Sequence, residues 1–244
     1  MKTRLAILCS CASLCLLGLA PGDVGATVTT YFNNLSGYLA ASGGNPSVCV
    51  DFEGLGFGTN ITGQTISNIH FDNDIDPAGF RAPLIVENGS STSTPTSGWS
   101  GACTQPTSPG QRKLNPTSGN ACITPGGSQL LPGPNPTVEN DDLEITFPGY
   151  AGQAVKAVGF DLLFQSLDGD SFVHVQVFDG SNTLLADHFF FPIPGVAGDF
   201  SGSFFVGFVS TTASDIARVV INEQDDNNCN PDSNIGYDTI RCKP

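Results

Sequence analysis

The chain has 244 residues, 9 basic and 23 acidic side chains, and a formal net charge of −14. Such a surface repels phosphate backbones and argues against a nucleic-acid partner. Two uses for the charge remain, which are to keep a secreted protein soluble and to concentrate divalent cations.

Residues 1–26 start with Lys2 and Arg4, run through apolar residues from Leu5 to Ala20, and end in "PGDVGA". A basic start, a short apolar core and a small-x-small ending predict a secretory signal peptide. Val24 and Ala26 suit the −3 and −1 positions, so cleavage is expected before Thr27. The apolar run is too short to span a bilayer, and no later run is long enough. The expectation is a secreted, extracellular monomer with one domain over 27–244. That part keeps seven basic and 22 acidic residues, a net charge of −15. It also keeps Cys49, Cys103, Cys122, Cys229 and Cys242. In an oxidising compartment these should pair, with one left over. No Cys-x-x-Cys spacing occurs, which argues against zinc.

"YFNNLSGYLAASGG" (31–44) has Phe32, Leu35 and Leu39 at helical spacing before a Gly-Gly stop, and predicts a short amphipathic helix. "SVCVDF" (47–52) reads as the first strand. "TISNIHFD" (65–72) reads as a second, with Ile66, Asn68 and His70 alternating against Ser67, Ile69 and Phe71. Residues 88–140 are rich in Pro, Gly, Ser and Thr and predict a long loop insertion. Cys103 and Cys122 would staple it locally.

Alternation then returns. "DLEITF" (142–147) puts Leu143, Ile145 and Phe147 on one face. "AVKAVGFDLLF" (154–164) does the same with Val158, Phe160 and Leu162, and "SFVHVQVFD" (171–179) with Val173, Val175 and Val177. "NTLLADHFFF" (182–191), "GSFFVGFVS" (202–210), "IARVVIN" (216–222) and "IGYDTI" (235–240) complete the set. Short strands at hairpin spacing, separated by turns such as "LDGDS" and "FDGSN", predict an all-β chain. The expected architecture is an antiparallel two-sheet β-sandwich of jelly-roll type.

The order "YFNNLSGYLAASGG", "VDFEGL", "DLEITF", "AVGFDL", "VHVQVFDGSNTLL", "FVGFVS", "IARVVI", "IGYDTI" resembles the extracellular β-sandwich domains of bacterial PEP-CTERM-type secreted and surface proteins. It is more distantly similar to carbohydrate-binding-module and MAM-type jelly rolls, which also carry a "DFE" strand near their start. The chain ends in "DTIRCKP", without the sorting tail of the first group, so free secretion is expected.

The resemblance implies that the opening and closing strands pair antiparallel. A register with Glu53 opposite Asp238 also sets Cys49 opposite Cys242. Facing carboxylates repel, and a hard cation between them removes the conflict. The similar jelly rolls carry a structural calcium near the chain ends, which points by position to Glu53 and Asp238, with Asp51 as a third ligand. The Gly-rich loop 54–58 would add backbone carbonyls. The alternative leaves Asp51 in solvent and pairs Glu53 with Arg241 or Arg218. For the disulfides, Cys229 with Cys242 is the rival to Cys49 with Cys242. Asp72, Asp74 and Asp76 are a weaker acidic set, since Pro77 and Pro83 stand where an EF-hand needs Gly and an acid.

Chemistry motifs are sparse. "DGDS" (168–171) reads as a turn between strands. His70, His174 and His188 belong to no His-Glu-x-x-His, and no Gly-x-Ser-x-Gly occurs. No catalytic residue is assigned. Such jelly rolls bind glycans on aromatic platforms, so Trp99, Tyr150 and Tyr237 are the candidate ligand-binding residues. The expected function is a secreted, non-catalytic binding protein for an extracellular glycan or a matrix or envelope component. The alternatives are a structural or adhesive surface protein without a small ligand, and a secreted hydrolase.

Overall fold

In a computed structural model, the described residues are 27–44, 46–73, 84–88, 116–125, 128–130, 137–139, 143–165, 172–190, 201–212, 214–224 and 235–244. The predicted signal peptide, Trp99, Cys103, Cys229, Asp74 and Asp76 lie outside them.

One antiparallel sheet holds β1 (Val28–Phe32), β13 (Ser201–Ser210), β10 (Ala157–Gln165), β15 (Ile235–Lys243), β6 (Ala121–Pro125) and β5 (Leu84–Asn88), in that order. β2 (Ser47–Val50) also pairs with β15, which makes this sheet seven-stranded. The second sheet runs β12 (Leu184–Phe190), β11 (Phe172–Phe178), β14 (Arg218–Gln224), β9 (Leu143–Thr146), β4 (Ile69–Asp72) and β3 (Gln64–Ile66). β7 (Ser128–Leu130) and β8 (Thr137–Glu139) form a separate pair. From β9 onward the chain passes repeatedly from one sheet to the other, as jelly rolls do. The two-sheet sandwich expected from alternation is the observed fold.

The period-2 faces fall as predicted. Leu143, Ile145, Phe147, Val158, Phe160, Leu162, Val173, Val175 and Val177 are all buried between the sheets. Apolar area removed from water contributes about 25 cal/mol per Å². This shared interior therefore holds the register of each strand, since a one-residue slip would turn its apolar set outward.

Three local readings need correction. Residues 28–32, "VTTYF", are extended, and the helix starts later, as α1 (Leu35–Ala41). Asn33, at φ 48°, breaks the strand. Asn34 then caps the helix, its Oδ1 accepting from the Gly37 N–H at 2.9 Å. Phe32 thus lies on a strand, with its ring stacked on Phe190 at 4.8 Å. The "TISNIHFD" stretch is two strands joined at Ser67 and Asn68, with φ of 50° and 72°. Positive φ at both central residues gives the tight hairpin turn that matches strand twist. Finally, residues 121–125 of the stretch read as a loop insertion form β6, paired with β5 and β15 inside the large sheet.

α1 packs on the outer face of the large sheet. Tyr38 is fully buried there against Phe205, with ring centres 5.0 Å apart. The floor is the cross-strand pair Gly159 and Gly207. A Cβ on Gly207 would come within 2.7 Å of both Phe205 Cζ and Tyr38 Cδ2. Burial pushes the Tyr38 hydroxyl pKa up, with the Arg241 charge opposing it. Gly207→Ala is expected to destabilise by about 1–3 kcal/mol through overpacking. Gly180→Ala, with open space around the added carbon, should stay within about 0.5 kcal/mol. Urea unfolding of the two variants checks the contrast.

Candidate functional site

The strand carrying "VCVDFEG" ends at Val50, so Glu53 lies in the following turn, where Phe52 has φ 63° and is buried. The pairing of β2 with β15 sets Val50 opposite Ile240, Val48 opposite Arg241 and Ser47 opposite Cys242, with a register shift between. Glu53 is therefore not opposite Asp238 in the ladder. The residue opposite Asp238 on β10 is Asp161. Asp238 is fully buried and Asp161 nearly so.

What meets these acids is the segment 117–121, "TSGNA". The Thr117 and Ser118 N–H groups each donate to Asp238 Oδ2 at 2.8 Å. The Ser118 hydroxyl donates to Asp238 Oδ1 at 3.0 Å, and the Thr239 N–H does so at 2.6 Å. The Thr117 hydroxyl reaches Asp161 Oδ2 at 2.6 Å, and Arg241 Nη1 reaches the same oxygen at 3.0 Å. At the other end of the segment, the Asn120 and Ala121 N–H groups both donate to Glu53 Oε1 at 2.6 Å. Between them Gly119 has φ +52°, and a Cβ there would lie 2.2 Å from Glu53 Cδ. Glycine is thus required twice, for the left-handed backbone and for the approach of the carboxylate.

Thr239 sits at φ 48° inside β15, between Asp238 and Ile240. A β-branched residue there is a true backbone outlier. It lies within the register shift of β15 against β10, and the shift against β2 follows between Ile240 and Arg241. A bulge of this kind re-aims side chains. Here the Asp238 carboxylate and the Thr239 hydroxyl both reach Ser118.

Asp51, Glu53 and Asp238 are not gathered into one ligand set. Asp51 Oδ1 accepts from the Glu53 N–H at 3.2 Å. Among the described residues no group of three or more His, Cys, Asp or Glu side chains could hold a metal ion. The 54–58 loop docks elsewhere, with the Gly58 N–H donating to the Val86 carbonyl at 2.7 Å. Arg241 pairs with Asp161 and Arg218 with Glu144, so neither meets Glu53 as the alternative expected. Thr117, Ser118 and Asp161 were not among the sequence candidates, and Arg241 was named only as a partner for Glu53. The one available signal was Asp161, a lone acid in the apolar run "AVGFDLLF".

Cys49 and Cys242 form a disulfide, with Cα atoms 6.0 Å apart. The Tyr150 hydroxyl lies 2.9 Å from Cys242 Sγ and 3.4 Å from Cys49 Sγ. Tyr150 is partly buried against Phe147, and burial raises its hydroxyl pKa. Tyr237, expected as a ligand platform, is instead a core residue with no exposure, edge-on to Phe160. The inward parity of "IGYDTI" sends Tyr237 inward and Asp238 outward.

The outer faces of the two sheets differ. The large sheet is covered by α1 at one end and by 117–121 at the other. The outer face of the six-stranded sheet carries no element among the described residues. Its outward side chains include Asp187 and Phe189 on β12, His174 and Gln176 on β11, and Arg218 and Asn222 on β14. Phe189 is 51% exposed and stacks flat on His174, with ring centres 4.0 Å apart. His174 Nε2 bonds Asp187. Phe189 thus departs from the plain core-packing role its neighbour Phe190 has.

The histidines are dispersed. His188 Nε2 meets the Thr30 hydroxyl at 2.7 Å at the sheet edges. His70 touches both a hydroxyl, Thr65 Oγ1 at 3.2 Å, and a carboxylate, Asp72 at 4.0 Å. The second distance exceeds hydrogen-bond length, and Thr65 is on an exposed edge strand.

No protein-family model matches the chain, and no curated protein matches it. A solved structure, a cleaved adhesin domain of Lys-gingipain from Porphyromonas gingivalis, is similar at 11% identity and a TM-score of 0.30, over 75% of this chain and 96% of that one. A likeness at that score carries no argument about fold or function. No described helix is long and apolar enough to cross a membrane.

Proposed function

We propose that the chain is a secreted, non-catalytic binding domain that takes an extracellular glycan on the outer face of its six-stranded sheet. The observation that carries this reading is Phe189, half exposed on a sheet face that no described element covers. Asp187, Gln176 and Asn222 lie beside it in the strand register. An exposed aromatic ring with a few fixed polar groups around it is the usual make-up of a recognition surface. Screening a glycan array with the wild-type chain and Phe189→Ala tests it. Binding should fall roughly tenfold or more, about 1.4 kcal/mol, at unchanged Tm. Binding that ignores Phe189 would sink the assignment, and turnover of a glycoside or ester by the wild-type chain would replace it with the hydrolase.

Calcium belongs to the same proposal as a structural ion. Its support is that Glu53 and Asp238 grip the two ends of one short segment whose side-chain donors are the Thr117 and Ser118 oxygens. Oxygen-only chemistry suits a hard cation. Either Glu53 or Asp238, but not the two together, would supply its carboxylate, with neutral oxygens from 117–121 completing the shell and Asp51 outside. Removing calcium with EGTA should then lower the Tm; an unchanged Tm means backbone N–H groups alone neutralise these acids.

A second reading, adhesion without a small ligand, is favoured by Leu184 and Phe32, 46% and 44% exposed on the edge strands β12 and β1. Cell binding that excess soluble glycan does not compete would select it.

A further inference from the structure

We propose that a second copy of the chain docks on the outer edge of β1, strand against antiparallel strand, so that two large sheets join into one. The inference does not rest on the glycan reading. The monomer expected from the sequence is then the dilute form.

The bonds to β13 show which backbone groups of β1 face outward. The Thr211 N–H donates to the Thr27 carbonyl at 2.9 Å, and the Asn33 N–H donates to the Phe205 carbonyl at 2.8 Å. Both agree with the register that sets Val28 against Ser210 and Phe32 against Val206. Bonded and non-bonded pairs alternate along an antiparallel ladder, so Thr29 and Tyr31 also turn their N–H and C=O toward β13. Val28, Thr30 and Phe32 turn theirs away, to the side where no described strand pairs with β1. That outward set is symmetric about Thr30. A two-fold axis there sets Thr30 against the partner's Thr30 and Val28 against the partner's Phe32, and every outward N–H meets a C=O. An isologous contact needs this self-complementarity. It also covers the Phe32 ring, now 44% exposed.

Charge selects the same edge. Two copies at −14 each repel over most of their surface, but β1 is "VTTYF", without a charge or a proline, and its ladder to β13 has no register shift. Natural edge strands are usually blunted by one of these devices or kept very short, and the other edges of the sandwich are. β12 carries Asp187 and a register shift against β11. β3 has three residues, and β2 has four with a shift against β15. The edge of β5 is taken by the 58–61 stretch, whose Gly58 and Ile61 N–H groups donate to the Val86 and Leu84 carbonyls at 2.7 and 2.9 Å.

β1 is also held in place before any partner arrives. The Thr30 hydroxyl meets His188 Nε2 at 2.7 Å, and Phe32 stacks on Phe190 at 4.8 Å and on Phe204 at 5.5 Å. A strand already fixed loses little freedom on docking. The axis stands perpendicular to the sheet, so both copies present the six-stranded sheet to the same side.

The test is sedimentation velocity of the full chain from about 5 µM to about 1 mM. A contact this small should give a dimer with a Kd between about 10 µM and about 1 mM. Raising salt from about 0.05 M to about 0.5 M should strengthen it several-fold by screening the repulsion. Val28→Pro removes an outward N–H and should weaken it about tenfold or more. Thr29 is exposed, and in this pairing it lies diagonal to the partner's Thr29, about 7–8 Å away. Thr29→Glu and Thr29→Lys should each weaken the dimer several-fold at unchanged Tm, and mixing the two variants should restore it. A chain still monomeric at about 1 mM overturns the proposal. Self-association that Thr29→Glu leaves unchanged overturns it too, by placing the contact elsewhere. Loss in both Thr29 variants without recovery on mixing overturns the two-fold strand pairing. A dimer weakened by salt overturns it as well, because paired charges then hold the copies together. A monomer that binds the peptide TVTTYFN keeps the edge as a strand acceptor but overturns the second copy as its occupant.

Discussion

Replacing Asp238 by alanine is expected to destabilise the protein by about 3–5 kcal/mol, the largest effect of any single side chain described above. The carboxylate is fully buried and accepts from the backbone N–H groups of Thr117, Ser118 and Thr239 as well as from hydroxyls. Alanine leaves those donors without an acceptor in a place water does not reach. An unsatisfied buried donor costs about 1–3 kcal/mol. The bulge at Thr239 loses its purpose as well, because its left-handed backbone is held by the contacts it makes possible. For a chain of this length the change corresponds to a drop of roughly 10 °C in Tm. Asp238→Asn should be intermediate, since its amide nitrogen faces donors where the lost oxygen stood. Urea unfolding followed by circular dichroism measures both. A loss below about 1 kcal/mol for alanine would mean that the 117–121 segment is not held as described.

The second large effect is expected from the disulfide. Cys49 and Cys242 are separated by 193 residues. Cross-linking so long a loop removes denatured-state entropy worth up to about 5 kcal/mol in the chain-entropy model, with native disulfides typically contributing about 2–5. The bond also ties β2, which among the described strands pairs only with β15, to the strand that carries Asp238. Cys49→Ala/Cys242→Ala, or reduction of the wild-type chain, should lower the Tm by a comparable amount, and reductant should do nothing further to the double variant. Peptide mapping under non-reducing conditions gives an independent check. A peptide joining Cys229 to Cys242 would overturn the pairing.

The two effects should not be independent. Glu53 follows β2 by a few residues and holds Asn120 and Ala121, while Asp238 on β15 holds Thr117 and Ser118. Loosening β2 therefore loosens one end of the segment that Asp238 grips at the other. A double-mutant cycle between the disulfide and Asp238 should show coupling of about 0.5–3 kcal/mol, as residues in one network do.

Much of the fold was legible from local pattern. Val173, Val175 and Val177 alternate with His174 and Gln176, and a half-buried strand needs nothing more to be recognised. The pairing of the 47–50 strand with the last strand was expected from the resemblance, but not its register, and Cys49–Cys242 was one of two disulfide pairings left open. Less legible were short strands without alternation. "LIVEN" is buried along almost its whole length, so it has no polar face to mark its period. β6 sits in a stretch whose Pro, Gly and Ser content imitates a linker. "VTTYF" runs straight into the helix signal of "NLSGYLAA", and the break between them depends on the single residue Asn33.

The candidate sites show the same division. The residue order alone determined an acidic, all-β chain with two alternating faces per strand, because period and composition are local properties. Tertiary structure decided which acids meet and which partners neutralise them. One bulge at Thr239 shifts the ladder and places Asp161 opposite Asp238, and the turn at Phe52 sets Glu53 against a segment 67 residues away from it in sequence. It also decided that Tyr237 faces inward while Phe189 faces water. Inward and outward become distinct only when the second sheet covers one side of the first.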